Sequence, residues 1–365
     1  MNVNEALYQL GLAVAPGVGD VLIRQLVSYC GSAEAVFKST ASRLVRIPGI
    51  GEVTARSVLN PTVLREAETA LHRIERLGVR LFFYTDADYP DRLKTLYDAP
   101  ALLLHQGTTD LNAARTIGIV GTRQATDYGR RITEELVQAL KPYQPLIISG
   151  LAYGIDIAAH RASLLHQLPT VGVMASGIDI IYPSVHKKTA QDMLANGGLL
   201  TENLPGVKPD ARLFPARNRI IAGLSDVVIV VEAAAKGGAL ITAEYANNYH
   251  RDVFAVPGLV GQTFSQGCNK LIRENKAQIY TRPEDIIEAL NWDQPIRTEA
   301  APLPNLNFTE EESQILTLLR GQSDVHVDDL SWKSQIPLGR LASMLLNLEF
   351  QGYVRSLPGK RYRLQ

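Results

Sequence analysis

The sequence has few cysteines, no net charge and no long hydrophobic run, and each of these absences excludes a class of protein. Cys30 and Cys268 are the only two cysteines among 365 residues, too few for a disulfide framework and without metal-ligand spacing. The 37 basic and 37 acidic residues cancel, which argues against a protein that coats nucleic acid through bulk charge. The longest apolar runs, such as VVIVV, have the length of a strand and cannot cross a bilayer. The N-terminus MNVNEALYQL lacks the features of a secretory signal, so we expect a cytoplasmic protein with no membrane partner.

Two common nucleotide-binding signatures are also absent. No stretch fits G-x-G-x-x-G with an acidic residue about twenty positions later, or GxxxxGK[ST], so the dinucleotide oxidoreductase and P-loop NTPase interpretations fail. The seven histidines are scattered, and no Ser/His/Asp order, catalytic cysteine or metal cluster is visible. We therefore predict no catalytic residue, no metal site and no cofactor.

The length predicts more than one domain, and the chain has readable boundaries. We assign a helix–hairpin–helix domain to residues 1–70 and an extension that leads into a sheet to 71–114. Residues 115–292 form the predicted Rossmann-like domain, residues 293–306 a proline-rich linker, and residues 307–365 a winged-helix domain.

A repeated pattern defines the first domain. LAVAPGVGDVLIRQLV and LVRIPGIGEVTARSVL both place P-G-h-G, where h is apolar, ahead of a helix with an apolar stripe. This pattern is typical of helix–hairpin–helix motifs, whose glycine turn exposes backbone N–H groups that hold a DNA phosphate. A tight turn kept for packing explains it equally well, because few lysines flank either copy.

The last sixty or so residues have the pattern of a winged helix. Thr309 is the predicted N-cap of a first helix, and a second follows near 327–333. The third runs over 337–350 with an apolar stripe (Leu338, Leu341, Leu345, Leu348), and the tail GYVRSLPGKRYRL resembles a hairpin about a PG turn. The segment holds as many acidic as basic residues, so protein contact or packing is at least as well supported as DNA binding.

Between these ends, short apolar strands alternate with helical patterns. The strands are TIGIVGT, PLIISG, TVGVMASG, GGLLTEN, DVVIVVEA and DVFAVPG. Their β-branched, continuously apolar character is that of buried parallel strands, and the alternation predicts a doubly wound α/β sheet.

Ligands of such sheets bind at the carboxyl ends of the strands, so the loops there are the candidate site. Four of them combine small residues with a helix start: 121–123, 149–156, 176–179 and 236–239. Glycine lets a ligand approach the backbone, and a helix start offers free N–H groups. Together they predict a surface that binds phosphate.

The stretch FPARNRIIAGLS at 214–225 lies between the fourth and fifth of these strands, and its helix should start on the same rim. Arg217 and Arg219 are either forked phosphate donors there or incidental helix-start charges. Asn218 and Ser225 are anion contacts or plain capping groups. Phe214 is either an exposed stacking aromatic or an ordinary core contact; stacking combined with charge is how proteins bind single strands without reading sequence.

Two basic clusters contribute to this surface. One contains Lys208, Arg212, Arg217 and Arg219 with the single acid Asp210, and the other contains Arg115, Arg123, Arg130 and Arg131 with Asp127. A charge cluster is often only a solvated face, so neither is decisive alone.

A resemblance to a known family rests on many ordered motifs. GIVGTR, SGLAYGIDIAAHRASL, GIDIIYPSVHK, LFPARNRIIAGLSDVVIVVEA, GGALITAEYA, VFAVPG and QGCNKLIREN follow one another, after the lead-in DADYPDRLKTLYDAPALLLHQG. Together they resemble the DprA/Smf family of DNA-processing proteins. The resemblance implies a bacterial cytoplasmic homodimer that binds single-stranded DNA, protects incoming strands during natural transformation and loads the RecA recombinase onto them.

The predicted DNA-binding residues combine this resemblance with the rim loops. They are Gly121, Thr122, Arg123, Ser149, Gly150, Arg212, Phe214, Arg217, Asn218, Arg219, Lys236, Gly237 and Gly238. Two other classes of function stay open. One is an enzyme similar to nucleoside-monophosphate phosphoribohydrolases, with Glu232 and Glu244 as its possible acids. The other is an interaction scaffold with a vestigial pocket.

Overall fold

The computed structural model of the chain describes residues 3–292, 308–320, 324–351, 353–357 and 360–364. Contacts divide the chain into two compact units, Met1–Ile296 and Arg297–Gln365. The predicted linker, 293–306, lies outside the described residues. Within the described ranges, no helix combines the length and the apolar character that a membrane span requires.

The first unit begins with a helical head. Its helices are α1 (Val3–Val14), α2 (Asp20–Cys30), α3 (Ala33–Phe37), α4 (Ala41–Leu44), α5 (Glu52–Val58) and α6 (Pro61–Arg76). The two P-G-h-G turns directly precede α2 and α5, as the repeated pattern predicts. Gly17 and Gly49 each have a φ of +79°, which glycine adopts without steric cost. The boundary predicted at residue 70 lies within α6.

The first of the two turns is packed against the rest of the unit. Asp20, the first residue of α2, accepts a hydrogen bond from the backbone N–H of Ala101 at 2.8 Å and pairs with Arg219 at 3.1 Å. Because the Asp20 carboxylate lies where a DNA phosphate would have to bind, we interpret the first turn as a packing turn.

The remainder of the unit is built on one sheet. Its elements are β1 (Arg80–Phe83), α7 (Asp91–Lys94), β2 (Leu102–Gly107), β3 (Thr116–Val120), α8 (Asp127–Ala139), β4 (Leu146–Ser149), α9 (Ile155–Leu165), β5 (Thr170–Val173), α10 (Lys187–Met193), β6 (Gly197–Thr201), α11 (Leu213–Leu224), β7 (Val227–Val230), α12 (Gly238–Asn248), β8 (Asp252–Ala255), α13 (Gln266–Arg273), β9 (Gln278–Ile279) and α14 (Glu284–Ala289). In residues 3–292, nine strands pair in the order β1-β2-β6-β5-β4-β3-β7-β8-β9.

The sheet has the doubly wound topology that the sequence predicts. The six predicted strands are β3 to β8, and they pair in parallel. The chain moves outward from β3 through β4, β5 and β6, then crosses to β7 on the other side of β3. The lead-in segment adds β1 and β2 as an antiparallel edge beside β6. Side chains of α8, α9 and α14 pack on one face of the sheet, and those of α11 and α12 pack on the other.

The second unit is a winged helix, as predicted. Its elements are α15 (Glu310–Leu319), β10 (Val325–His326), α16 (Val327–Ser334), α17 (Leu338–Phe350), β11 (Val354–Leu357) and β12 (Arg361–Leu364). Thr309 and Glu312 form a reciprocal capping box at the start of α15, so the predicted N-cap is confirmed. Leu341, Leu345 and Leu348 are buried, whereas Leu338 at the helix start is half exposed. The PG turn at 358–359 lies outside the described residues.

Candidate nucleic-acid interface

A pocket of about 520 Å³ opens at the carboxyl ends of the central strands. Its wall is formed by the loop after β3, the loop after β7, and the first turns of α11 and α12. Strand β3 is the point where the strand order reverses, because β4 lies on one side of it and β7 on the other. Open α/β sheets bind their ligands in the crevice at such a reversal. The topology therefore marks this pocket as the candidate site.

The loop 121–123 is fixed by its neighbours. The backbone N–H of Thr122 donates to the Glu232 carbonyl at 2.7 Å, and the Thr122 carbonyl accepts from the Ile155 N–H at 3.2 Å. The Glu232 carboxylate in turn accepts from the N–H and the hydroxyl of Thr126, at 2.9 and 2.6 Å. Glu232 therefore holds the start of α8, a structural use of the residue that the enzyme hypothesis offered as an acid. The other such residue, Glu244, is exposed on α12 and does not line the pocket.

Arg123 is left exposed at the pocket mouth, against an aromatic ring. Its guanidinium carbon lies 4.9 Å from the centroid of the Phe214 ring, a cation–π contact. Phe214 also contacts Tyr182, with ring centroids 5.8 Å apart. The Phe214 side chain is only partly buried and lines the pocket, so it is not an ordinary core residue. The arrangement pairs a cation with a partly exposed ring.

Arg217 is buried, which corrects the prediction that it projects as an open phosphate donor. It is 4% exposed and donates to the carbonyls of Gly150, at 2.6 Å, and Val173. Asp156 is also buried, and the two side chains approach Gly150 so closely that a Cβ there would lie within 2.7 Å of both. Burial lowers the pKa of Arg217 to about 10 and raises that of Asp156. Arg217 lines the floor of the pocket and ties together the ends of β4 and β5.

Arg219 does not face the pocket at all, a second correction. Its guanidinium donates to the Asp98 carbonyl at 2.6 Å and pairs with the carboxylates of Asp20 and Glu202. Burial is also the largest influence on Glu202, whose pKa it raises to about 7 against the opposing effect of Arg219. Arg219 therefore joins α11 to the helical head, and its guanidinium is already paired with two carboxylates.

The neutral polar residues of the prediction are mostly used inside the protein. The Asn218 amide donates to the Gly238 carbonyl at 3.1 Å and accepts from Arg217 at 3.2 Å. The hydroxyls of Ser149 and Ser225 are buried and donate to the carbonyls of Ile119 and Ile221, at 2.6 and 2.7 Å. These are internal packing contacts, and no side chain caps the start of α11 or of α12, so the capping interpretation of Asn218 and Ser225 is not confirmed.

The start of α12 forms another part of the pocket wall. Lys236, Gly237 and Gly238 are all exposed, and no side chain caps this helix. A Cβ at Gly237 would meet no atom within 4 Å, and one at Gly238 would come no nearer than 3.8 Å, to Asn218. Internal packing therefore does not require either glycine, and the space beside their Cα atoms is open where they line the pocket. An uncapped helix start also leaves backbone N–H groups available to a ligand.

The remaining predicted residues are spread more widely. Arg212 is exposed beside the α11 start and pairs with Asp210 at 3.0 Å. Arg115, from the second basic cluster, is buried against Tyr143 and Trp292. In the loop after β5, Asp179 pairs with Arg73 of the helical head. The structure thus brings Gly121, Thr122, Arg123, Phe214, Arg217, Asn218, Lys236, Gly237 and Gly238 to one pocket.

Sequence reasoning missed Tyr182 and gave Asp156 no role. Tyr182 lies with Phe214, Arg123 and Gly150 around a small adjoining cavity of about 70 Å³. The only available signal was its place in the motif GIDIIYPSVHK. In the described part of the chain, no group of three or more His, Cys, Asp or Glu side chains is placed to hold a metal ion.

Comparison with family models covers most of the chain. Residues 80–291 match the model of DNA recombination-mediator protein A. Residues 297–360 match the DprA winged helix domain, and residues 12–60 match the SAM-like helix-hairpin-helix tandem.

Individual relatives agree with the models. Protein Smf of Synechocystis sp. is 30% identical over 394 residues, covering 99% of both chains. The crystal structure of DprA from Streptococcus pneumoniae is similar, with a TM-score of 0.66 and 33% identity over 78% of this chain and 97% of that one. A structure of DprA from Helicobacter pylori, which concerns its single-stranded DNA binding mode, has a TM-score of 0.54 and 30% identity over 60% of this chain and 97% of that one. The chain therefore belongs to the DNA recombination-mediator protein A family, the DprA/Smf family.

Proposed function

We propose that the chain binds single-stranded DNA in the pocket at the β3 reversal. The observation that carries this proposal is the Arg123–Phe214 pair at the pocket mouth, a cation stacked on a partly exposed ring. Single strands are bound without sequence preference by stacking platforms next to phosphate donors, and this pair offers both. The relative from Helicobacter pylori, described as having a single-stranded DNA binding mode, supports single-strand binding as the activity.

The phosphate contacts come from the exposed groups around that pair. Arg123 and Lys236 are exposed cations that line the pocket from different loops, and the uncapped start of α12 adds backbone N–H groups. Buried Arg217 adds positive charge beneath the floor and orients the Gly150 loop through its hydrogen bond. Local cations at one rim explain how a chain of zero net charge binds a polyanion.

The two open glycines give a prediction in which stability and binding move in opposite directions. Replacing Gly238 by Ala should leave the free energy of unfolding unchanged or raise it by up to about 1 kcal/mol, because alanine restricts the unfolded chain. The same change adds a methyl group to the pocket lining beside the start of α12 and should weaken oligo-dT binding. Thermal unfolding and an oligo-dT titration on the same protein check both halves. Unchanged affinity would show that no ligand approaches this helix start.

We further propose that the protein works as a cytoplasmic homodimer that loads RecA onto the bound strand during natural transformation. The family relationship supports this proposal, together with an apolar surface near α12. In the loop that follows β8, Leu259 and Val260 are 71% and 98% exposed. Exposed apolar side chains grouped in this way are typical of interfaces.

Dimerisation at this loop is directly testable. Replacing Val260 by Glu should convert a dimer into a monomer at micromolar concentration without loss of fold, because the side chain makes almost no internal contact. Sedimentation velocity should show the wild type at twice the mass of the 365-residue chain. The matched control is Val53→Glu on α5, where the side chain is 83% exposed but belongs to the helical head. A monomeric wild type, or a Val260→Glu protein that stays dimeric, would contradict the assignment.

A further inference from the structure

A second cavity, of about 540 Å³, lies beside the pocket and shares Arg123 with it. It runs between α8, α9 and the turn at 184–186, and we call it the α8–α9 groove. Its lining includes Arg123, Arg130, Glu134, Tyr153, Arg161, Leu165, Val185 and His186. The small cavity that contains Tyr182 and Phe214 also includes Arg123 and Tyr153, so it connects the pocket to the groove. The three cavities form one path across the surface.

The charges of the groove favour an anion. Arg130 and Arg161 are exposed, and in residues 3–292 no acidic side chain pairs with Arg161. Arg130 pairs with Asp127 at 2.8 Å, but both side chains are largely exposed, and such surface pairs contribute only about 0–1 kcal/mol. Glu134 is the acid in the groove wall. The groove therefore holds three arginines, Arg123 included, against two acids, Glu134 and the fully exposed Asp127, which leaves an excess of positive charge.

The groove also offers rings and apolar contacts. Tyr153 is about half exposed and stands edge-on to His186, with ring centroids 5.1 Å apart. Leu165 and Val185 are exposed further along. An exposed ring in a groove lined by three arginines offers stacking and charge together, the combination with which proteins bind single strands.

Backbone geometry fixes the junction between pocket and groove. Gly154 has a φ of +78°, and a Cβ there would lie 2.1 Å from the Thr122 carbonyl oxygen. Only glycine permits this close approach, which sets the loop carrying Tyr153 directly against the loop carrying Arg123. The backbone therefore holds the two loops at the junction of pocket and groove in fixed positions.

We infer that a strand longer than the pocket continues along the α8–α9 groove, with Arg130 and Arg161 on its phosphates and Tyr153 under a base. This inference rests on the proposed single-strand binding and adds to it a second subsite. The groove raises affinity only for strands long enough to reach it.

A length series separates the two subsites. Oligo-dT of about 5 nucleotides lies near the lower end of the ~4–16 nucleotide sites of single-strand modules, and a strand of about 20 nucleotides exceeds their upper end. The Arg130→Gln/Arg161→Gln protein should bind the short strand as the wild type does. It should bind the long strand about tenfold or more weakly, and the slope of log affinity against log salt should become shallower by about 1.4, or ~0.7 for each lost phosphate contact. The control is Arg273→Gln/Arg282→Gln, two exposed arginines that line neither cavity and should change nothing.

The outcomes separate failure of the groove subsite from failure of the proposed single-strand binding. If the wild type binds neither strand, the proposed function fails. If it binds both, and the groove variant keeps the wild-type affinity and slope for the long strand, the groove is not a subsite. An equal loss for the short and long strands would also overturn the inference, because the arginines would then act on the pocket itself.

Discussion

Replacing Arg217 by Met is expected to lower the free energy of unfolding by about 3–5 kcal/mol, the cost of breaking one side of a buried charged network. The change leaves the carbonyls of Gly150 and Val173 without their buried donor and removes the cation nearest to buried Asp156. Methionine keeps much of the side-chain volume, so the loss reports polar contacts more than a cavity. Chemical denaturation measures it.

A control and a second variant make that result specific. Arg212→Met removes an arginine whose side chain is 91% exposed and should change stability by no more than about 0.5 kcal/mol. Adding Asp156→Asn to Arg217→Met should destabilise less than the sum of the single changes, because the buried carboxylate no longer lacks its partner. An Arg217→Met protein within 1 kcal/mol or so of the wild type would contradict the structural role assigned to this residue.

The largest loss of binding is expected when Arg123 and Lys236 are both replaced by Ala. These are exposed cations that line the pocket, so their removal should leave the fold intact. Hydrogen bonds to charged groups contribute about 1.5–3 kcal/mol each, so oligo-dT affinity should fall by roughly a hundredfold or more. Fluorescence anisotropy with labelled oligo-dT measures the loss. The contrasting variant is Arg219→Ala, whose stability is measured by chemical denaturation beside its oligo-dT affinity. Because Arg219 pairs with Asp20 and Glu202, this change should affect stability more than binding.

The architecture was predictable because its signals are local and strong. Six runs of β-branched residues separated by helical patterns predict β3 to β8, and the two P-G-h-G repeats predict the helical head. The lead-in segment was predicted only as an extension to the sheet, without strands. Its strands β1 and β2 lack the strand–helix alternation that marks β3 to β8, because only the four-residue helix α7 lies between them, and β2 joins the sheet through antiparallel pairing with β6.

The error at Arg217 and Arg219 has a simple geometric cause. The prediction placed both on a rim at a helix start, whereas α11 already begins at Leu213. Side chains two positions apart on a helix point in directions that differ by about 200°, so the two arginines cannot both face one pocket. Arg217 is directed to the strand ends under the pocket and Arg219 to the helical head. Helical phase, once the helix start is known, would have separated them.

Other parts of the site depended on the folded structure alone. Tyr182 and Phe214 are separated in sequence by a helix and a strand, and only the fold brings their rings together. The burial of Asp156 and the open space before Gly237 and Gly238 are likewise properties of packing. By contrast, Arg123 and Lys236 lie in the loops that follow β3 and β7, where the strand-end rule predicts a ligand site, and both line the pocket.

The most direct test of the account is the salt dependence of oligo-dT affinity for the wild type, Arg123→Ala/Lys236→Ala and Phe214→Ala. If the pocket holds phosphates with its two cations and a base with its ring, the double variant should have a slope shallower by about 1.4. Phe214→Ala should bind about 1–3 kcal/mol more weakly with the wild-type slope, because stacking releases no counterions. Wild-type affinity and slope in both variants would contradict the assignment of this pocket as the single-strand site.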